Sequence, residues 1–327
     1  MPTASKILTL FTRTPLHVGA GADVGAIDQP IIRERHTGFP IIPGSSLKGV
    51  FADLWHTDTD IINSENGPPK TFRNLDRDIT WLFGSDDPTG TNASAGALQF
   101  GEARLLAFPI RSAKGSFAWI TSPILLARAA RDGVPGITTL GRELAENLSD
   151  ETALFSAGST DAALALPLAN GEPKSRIVLE DYALTHAGTP PSALEGALAA
   201  LFPDEAFRGL LPKRLVILSD GMMSHFARTA CEIAQHVRIN DATGTAEDGG
   251  LFNQENVPAD ALFYAMIHAT KGRSEAHRTE AHTGQAALNT FADRLASDAV
   301  RHTLQIGADA TTGLGFCSVQ LIDPSQA

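Results

Sequence analysis

KILTLFTRTPLHVGAGADVGAIDQPIIRERHTGFPIIPGSSLKGVFADLW, residues 6–55, sets the frame for the whole chain. KILTLFTR alternates apolar and polar side chains, which predicts a strand over residues 6–13. The segment after it is broken by glycine and proline, so His17 and Asp28 fall on a loop leaving a strand end, where rigid scaffolds tend to carry function. Leu47, Val50, Phe51 and Leu54 then recur at helical spacing. They predict a helix from about Ser45 to Trp55, capped by Ser45 or Ser46, with Lys48 in its first turn and off the apolar stripe.

Outward from this frame, residues 56–96 are polar and read as a surface insertion. ALQFGEARLLAF and SFAWITSPILL read as strands joined by PIRSAKG, a turn bearing Arg111 and Lys114. Residues 157–175 form a second loop rich in Gly, Pro and Ser. RIVLEDYAL is strand-like, SALEGALAALF a short helix and RLVILS a buried strand. A helix over 222–235 puts Met222, Phe226, Ala230 and Ile233 on one face. HVRINDATGTAEDGGLFNQENVPADALFYAMI has the pattern of a projecting hairpin with a glycine-rich tip. A helix over 284–300 buries Leu288, Phe291 and Leu295, and the strands HTLQIG and GFCSVQLI are joined by GADATTGLG. Two halves that each run strand, helix, strands predict an α+β fold with a ferredoxin-like core and insertions.

Composition bounds the function. With 43% hydrophobic and 19% charged residues and no apolar run of membrane length, the chain is expected to be globular, without a membrane span. MPTASKILTLFTRTP lacks the apolar centre of a signal peptide, which predicts a cytoplasmic protein. Cys231 and Cys317 have no partner cysteine at metal-ligand spacing and are expected as two buried free thiols. A net charge of −11 argues against a generally basic nucleic-acid coat. Residues 1–56 nevertheless hold five Lys/Arg against four Asp/Glu, which leaves room for a locally basic face on an acidic body.

GSSLKG lacks the spacing of a nucleotide-binding P-loop, so an NTPase is not expected. What remains is a helix N-terminus with two hydroxyls and a first-turn lysine, suited to a phosphate; the plainer alternative is an ordinary cap and a solvated Lys48. Asp28 precedes Arg33, Arg35 and His36, and the commoner fate of such a carboxylate is a salt-bridge anchor. Its functional reading is a metal ligand at a scissile phosphate, with the cations holding the backbone. As a lone general base it would be poor, because an unperturbed Asp titrates near about 3.9; a divalent ion shared with the phosphate is more effective. His17 would assist, although a lone loop histidine is more often a hydrogen-bonded structural residue. GADATTGLG joins two strands and is no dinucleotide fingerprint. Gly307, Gly313 and Gly315 permit close backbone approach to a ligand, or simply form a hairpin turn. His277 and His282 lack zinc-site spacing and a third ligand.

Taken together, TPLHVGAGADVGAIDQPIIRERHTGFPIIPGSSLKG, FPIRSAKGSFAWITSP, RINDATGTAEDGGLFNQENVPADALFY and LQIGADATTGLGF resemble the RAMP superfamily of CRISPR-associated proteins. Within it they are similar to the backbone subunit of the type III-B Cmr effector complex. The type III-A equivalent shares the IDxPxIR and IPGSSLKG elements, while RERHTGFP and the ADALFY segment look more like the Cmr version. The resemblance runs from about residue 7 to 322 and is weakest over 56–96. It implies a single RAMP domain over 1–327, with an RRM-like palm, insertions at about 56–96 and 157–175, and a thumb at about 236–258.

Copies of such a subunit stack along a guide RNA and cut the bound target single-stranded RNA with a divalent metal, Mg or Mn. The aspartate of the IDxP element, Asp28 here, serves as catalytic residue and metal ligand. The resemblance places Ser45, Ser46 and Lys48 on guide phosphates, Arg238 on the thumb, and Gly307, Gly313 and Gly315 against the RNA. Arg33, Arg35, His36, Arg111 and Lys114 complete the expected RNA-binding set. Expected partners are the guide, the target, further copies of the chain and other type III effector subunits. A structural guide-binding subunit without nuclease activity, or a type III-A equivalent, are the alternatives. The chain departs from the family at Leu314, where Arg or Lys usually stands. It departs also at Gln254 and Asn256, where acidic and aromatic residues are common, leaving Glu255 the only acid of that run.

Overall fold

A computed structural model describes residues 4–21, 26–62, 70–73, 77–86, 93–157, 163–167, 175–297 and 303–325, with backbone alone for 56–62 and 70–73. The elements that carry the sheet and the site are β1 (Ala4–Thr12), α1 (Gly44–Ala52), β2 (Ala103–Ser112), β3 (Glu232–Ile239), β4 (Ala246–Asn256), β5 (Leu262–Ala269), α2 (Gly284–Leu295) and β6 (Phe316–Ile322). It is a mixed α/β chain. Its central strands lie in the order β6–β1–β5–β2, each antiparallel to its neighbour. The sheet continues beyond β2 through Ser116–Thr121, Leu215–Leu218, Thr152–Phe155 and Tyr182–Gly188.

β1 forms as the expected strand and is buried along Ile7–Thr12 on both sides, because both faces of the sheet are covered. Leu8 and Leu10 pair in register with Ala265 and Phe263 of β5, and on that face they join Leu47 and Phe51 of α1 and Leu288, Phe291 and Leu295 of α2. The Phe51 and Phe291 rings meet edge-on at 5.1 Å. Ile7 and Phe11 point the other way. They pack with Trp119, Leu198, Phe202 and Tyr264 under the helix Ser192–Ala200. Thr9 and Thr12 are therefore as buried as their apolar neighbours. Thr12 Oγ1 finds the Pro258 carbonyl at 2.9 Å, which ties the end of β1 to the loop that enters β5.

Several boundaries move from their expected places for local reasons. SFAWITSPILL is a strand only to Thr121; Pro123 then occupies the first turn of a helix, Pro123–Arg131, where its missing N–H costs nothing. The helix expected over 222–235 runs from Asp220 to Thr229, starting at a Ser219 hydroxyl that accepts from the Met222 N–H. Glu232 already opens β3, so Ile233 belongs to the hairpin and stands 52% exposed. RIVLEDYAL splits into two strands about Glu180, which has a positive φ of 48°. Helix α2, expected over 284–300, begins at a Thr283 cap and buries Leu288, Phe291 and Leu295, but ends at Leu295. Cys231 and Cys317 are buried free thiols. Among the described residues no helix is long and apolar enough to cross a membrane.

Candidate nucleic-acid interface

Asp28 is held by the hairpin. Residues 28–30 lie beside β4 as a short parallel edge: the Gln29 N–H donates to the Asn253 carbonyl at 3.1 Å and the Glu255 N–H to the Gln29 carbonyl at 2.9 Å. Asp28 closes a reciprocal pair with Asn253. Its N–H donates to Asn253 Oδ1, and its Oδ2 accepts from the Asn253 N–H, both at 2.8 Å. The side chain is exposed, and among the described residues it has no ion pair and Oδ1 has no hydrogen-bond partner. The salt-bridge role open to Asp28 in the sequence falls to other acids.

Glu255 takes Arg33. Its Oε1 accepts from Arg33 Nη2 and its Oε2 from the Ile31 N–H at 3.1 Å, at side-chain exposures of 4% and 19% for the acid and the arginine. Arg33 Nη1 also donates to the Gly38 and Ala227 carbonyls, each at 2.7 Å, so this guanidinium is spent inside the protein, pinning the 33–38 turn to the end of a helix. Glu34 binds Arg128 through both oxygens, at 3.1 and 2.9 Å, and the Arg128 guanidinium also reaches His36 Nε2 at 3.0 Å. Burial alone would raise the Glu34 carboxyl, but the Thr37 hydroxyl and Arg128 outweigh it and hold the group below its ordinary value. Arg35 is exposed, without a partner among the described residues.

His17 is buried, 5% exposed, and its Nδ1 lies 2.7 Å from the Glu255 carbonyl. A carbonyl only accepts, so Nδ1 carries the proton and Nε2 is the nitrogen left in the neutral ring. Asn253 and Glu255 are two residues apart, roughly 7 Å along a strand, so the His17 and Asp28 loops are anchored on one short stretch of β4. The glycine-rich loop closes the third side. The Ala308 N–H donates to the His17 carbonyl at 2.9 Å, and Gln254 Nε2 donates to Asp309 Oδ2 at 2.6 Å. At Gly307, with φ of 85°, a Cβ would lie 2.2 Å from the His17 carbonyl oxygen, so no other residue fits that approach. Gly315 similarly meets the Ile306 carbonyl, while a Cβ at Gly313 would face open space.

α1 begins one residue before the expected cap. Pro43 is its N-cap and no side chain caps it; Gly44, Ser45 and Ser46 form its first turn. Their N–H groups have no acceptor within the helix. Gly44, Ser45 and Lys48 line a cleft of about 370 Å³ together with Ser85, Ser94 and Arg273. Arg111 is exposed and forks onto Glu180, Lys114 donates to the Ala165 carbonyl at 2.8 Å, and Arg238 stands exposed on β3 near Glu247 at 3.7 Å. The expected residues thus divide. Asp28, His17, Arg33 and the glycine loop converge on the foot of the β3–β4 hairpin, whereas Ser45 and Lys48 line the cleft, Ser46 lies in the first turn of α1 outside its lining, and Arg111 and Lys114 have their own partners elsewhere.

A model of the RAMP superfamily matches residues 9–318. The chain belongs to the RAMP superfamily. The CRISPR system Cmr endoribonuclease Cmr4 of Pyrococcus furiosus is 32% identical over 324 residues, covering 96% of this chain and 95% of that protein. Oligomeric Cmr4 from Pyrococcus furiosus superposes with a TM-score of 0.63 at 25% identity, over 98% of this chain and 99% of that one. A chain of the type III-B Cmr-beta complex bound to cognate target RNA shares the fold, with a TM-score of 0.62 at 17% identity over 98% of each. Within the superfamily this chain is therefore of the Cmr4 type.

Asn253 and Asp309 escaped sequence reasoning, and so did Arg273 in the cleft. Asn253 meets Asp28 across 225 residues, and an asparagine in a polar hairpin carries no sign of such a partner.

Proposed function

We propose that this chain, a backbone subunit of a type III-B CRISPR effector, binds guide RNA alongside further copies of itself and cleaves the paired target RNA at Asp28. The single observation that carries the reading is the Asp28 carboxylate, presented to solvent with one oxygen fixed and the other uncommitted among the described residues. The order β6–β1–β5–β2 supports a ferredoxin-like palm, and the β3–β4 hairpin, Glu232–Asn256, supports a thumb slightly offset from 236–258. On this reading residues 1–327 form one RAMP domain, with insertions at about 56–96 and 157–175, working in the cytoplasm.

The cleft at α1 suits a guide phosphate: it lies at the positive end of a helix, lined by Gly44 and Ser45 of the first turn together with Lys48 and Arg273. Gly313 lies on the glycine loop where a backbone has room to approach. Arg35 and Arg238 are exposed cations that fit phosphate contacts, whereas Arg33 acts through the turn it holds. His17 keeps the glycine loop and the hairpin together, with Nε2 as its remaining nitrogen.

Among the described residues no group of three or more His, Cys, Asp or Glu gathers as a metal cage. One free carboxylate oxygen nevertheless suits Mg²⁺ or Mn²⁺, which bind through one or two carboxylates and complete their shell with phosphate oxygens and water. Asp28 would hold the ion, which when bound supplies charge stabilisation at the scissile phosphate. The reaction is in-line attack of the adjacent 2′-hydroxyl on phosphorus, expelling the 5′-oxygen and leaving a cyclic phosphate. The protein's part is to hold the strand in that alignment.

A second reading, a guide-binding subunit without cleavage, draws on one observation: Glu255, the only acid of its run, is tied to Arg33 and Ile31 and offers no second carboxylate to the RNA. Asp28→Ala in the assembled complex separates the two, since unchanged metal-dependent cutting removes the catalytic role.

A further inference from the structure

We infer that Asn253 is the positioning residue of the cleavage site, its side chain clamping the main chain that carries Asp28. This deepens the assignment of Asp28 above and rests on it. Asn253 spends every hydrogen-bonding group it has on the segment around Asp28. Its Oδ1 accepts the Asp28 N–H and its own N–H donates to Asp28 Oδ2, both at 2.8 Å; Nδ2 donates to the Ala26 carbonyl at 3.1 Å, and its carbonyl accepts the Gln29 N–H at 3.1 Å. The backbone contacts are those any residue could make at this point of the parallel edge. The two side-chain bonds need a group that accepts and donates from the same short stem, which Asn supplies and Ala, Val or Leu do not.

The consequence for Asp28 follows from the geometry. A loop carboxylate on a single rotatable stem would present either oxygen in several rotamers. Here the main chain on both sides of Asp28 is clamped to Asn253, and Oδ2 is turned toward the hairpin, so Oδ1 is the oxygen left outward. The clamp also runs through β4, whose next residues bind the glycine loop by Gln254 and the 31–38 turn by Glu255. Asn253 therefore places Asp28 relative to every other part of the site, and a displacement of about 1 Å at a reacting group is worth on the order of 100-fold in rate.

The test uses the assembled complex carrying Asn253→Ala, with Asp28→Ala and the double variant as references. Single-turnover cleavage at saturating target and Mg²⁺ or Mn²⁺ is expected to fall on the order of 10- to 100-fold, with guide content and target affinity unchanged. In the Asp28→Ala background the same substitution should cause no further loss. Backbone amide exchange in a peptide spanning 26–29 should quicken in Asn253→Ala, which reads the clamp without reference to activity. If Asp28→Ala is inactive while Asn253→Ala cuts at the wild-type rate and its exchange is unchanged, the positioning role is overturned and the Asp28 assignment stands. If Asp28→Ala itself cuts normally, both fall.

Discussion

Arg33 and Glu255 form an ion pair from which water is almost excluded, with side chains 19% and 4% exposed, and the same carboxylate accepts the Ile31 N–H at 3.1 Å. This pair joins the loop after Asp28 to the foot of the hairpin. Glu255→Ala strips both Arg33 and Ile31 of an acceptor, and breaking a buried pair from one side costs about 3 kcal/mol or more. Glu255→Gln keeps an oxygen for one donor and should lose clearly less. Denaturant unfolding of the two variants checks the order; equal stability would contradict it.

Gln254 and Asp309 make the other join at the hairpin foot, at 2.6 Å. Asp309 has a φ of 62°, a conformation that Asn tolerates and β-branched residues do not. Asp309→Asn should therefore stay close to wild type, while Asp309→Val should lose about 1 to 2 kcal/mol from the backbone alone, plus the hydrogen bond. Limited proteolysis at 307–315 reports the same ranking.

Acid should expose the Glu34 contact. The folded protein holds this carboxyl below its ordinary value of 4.5. Its contribution is therefore complete above the unfolded value and disappears as pH falls through the depressed folded one. Wild type should be more stable than Glu34→Gln at neutral pH, and the gap should shrink as pH falls below the ordinary value of 4.5. Unfolding midpoints on either side of that value check it.

Burial pushes the thiols of Cys231 and Cys317 up to about 12. For Cys231 this holds despite Arg33, whose Nη2 lies 3.3 Å from Sγ. Neither thiol should react with an alkylating reagent near neutral pH until the protein unfolds. Rapid labelling of the native chain, read by mass spectrometry, would contradict this.

Guide binding should respond to single charges. Lys48→Ala should weaken binding across guide sequences and lower the salt dependence by about one counterion. Leu314→Arg should do the reverse, because it adds a cation to the glycine loop. Equilibrium binding at several salt concentrations measures both.

How much of this was legible in the sequence depends on range. Helix α2, the last strand pair and the hairpin were readable because their signals are local: a 3.6-residue stripe, alternation, a glycine-rich tip. The burial of β1 on both faces was not, because the layer over its second face comes from residues 117–217, which no local pattern connects to it. The helix before the hairpin was drawn too long because Ile233 continued its apolar stripe, whereas it is an exposed hairpin residue. At the site, the proposal that α1 holds a phosphate rests on Gly-Ser-Ser-Leu-Lys itself. The release of Asp28 from salt bridging has no such local source, since it depends on Glu255 capturing Arg33 from 222 residues away.

Target cleavage by the reconstituted complex with Asp28→Ala, followed as a single-turnover time course in Mg²⁺ or Mn²⁺ beside wild type, tests the central claim most directly. In the Asp28→Ala complex target RNA should be bound with unchanged affinity and left uncut, while wild type releases fragments ending in a cyclic phosphate. Fragments formed at the wild-type rate by the Asp28→Ala complex would contradict it.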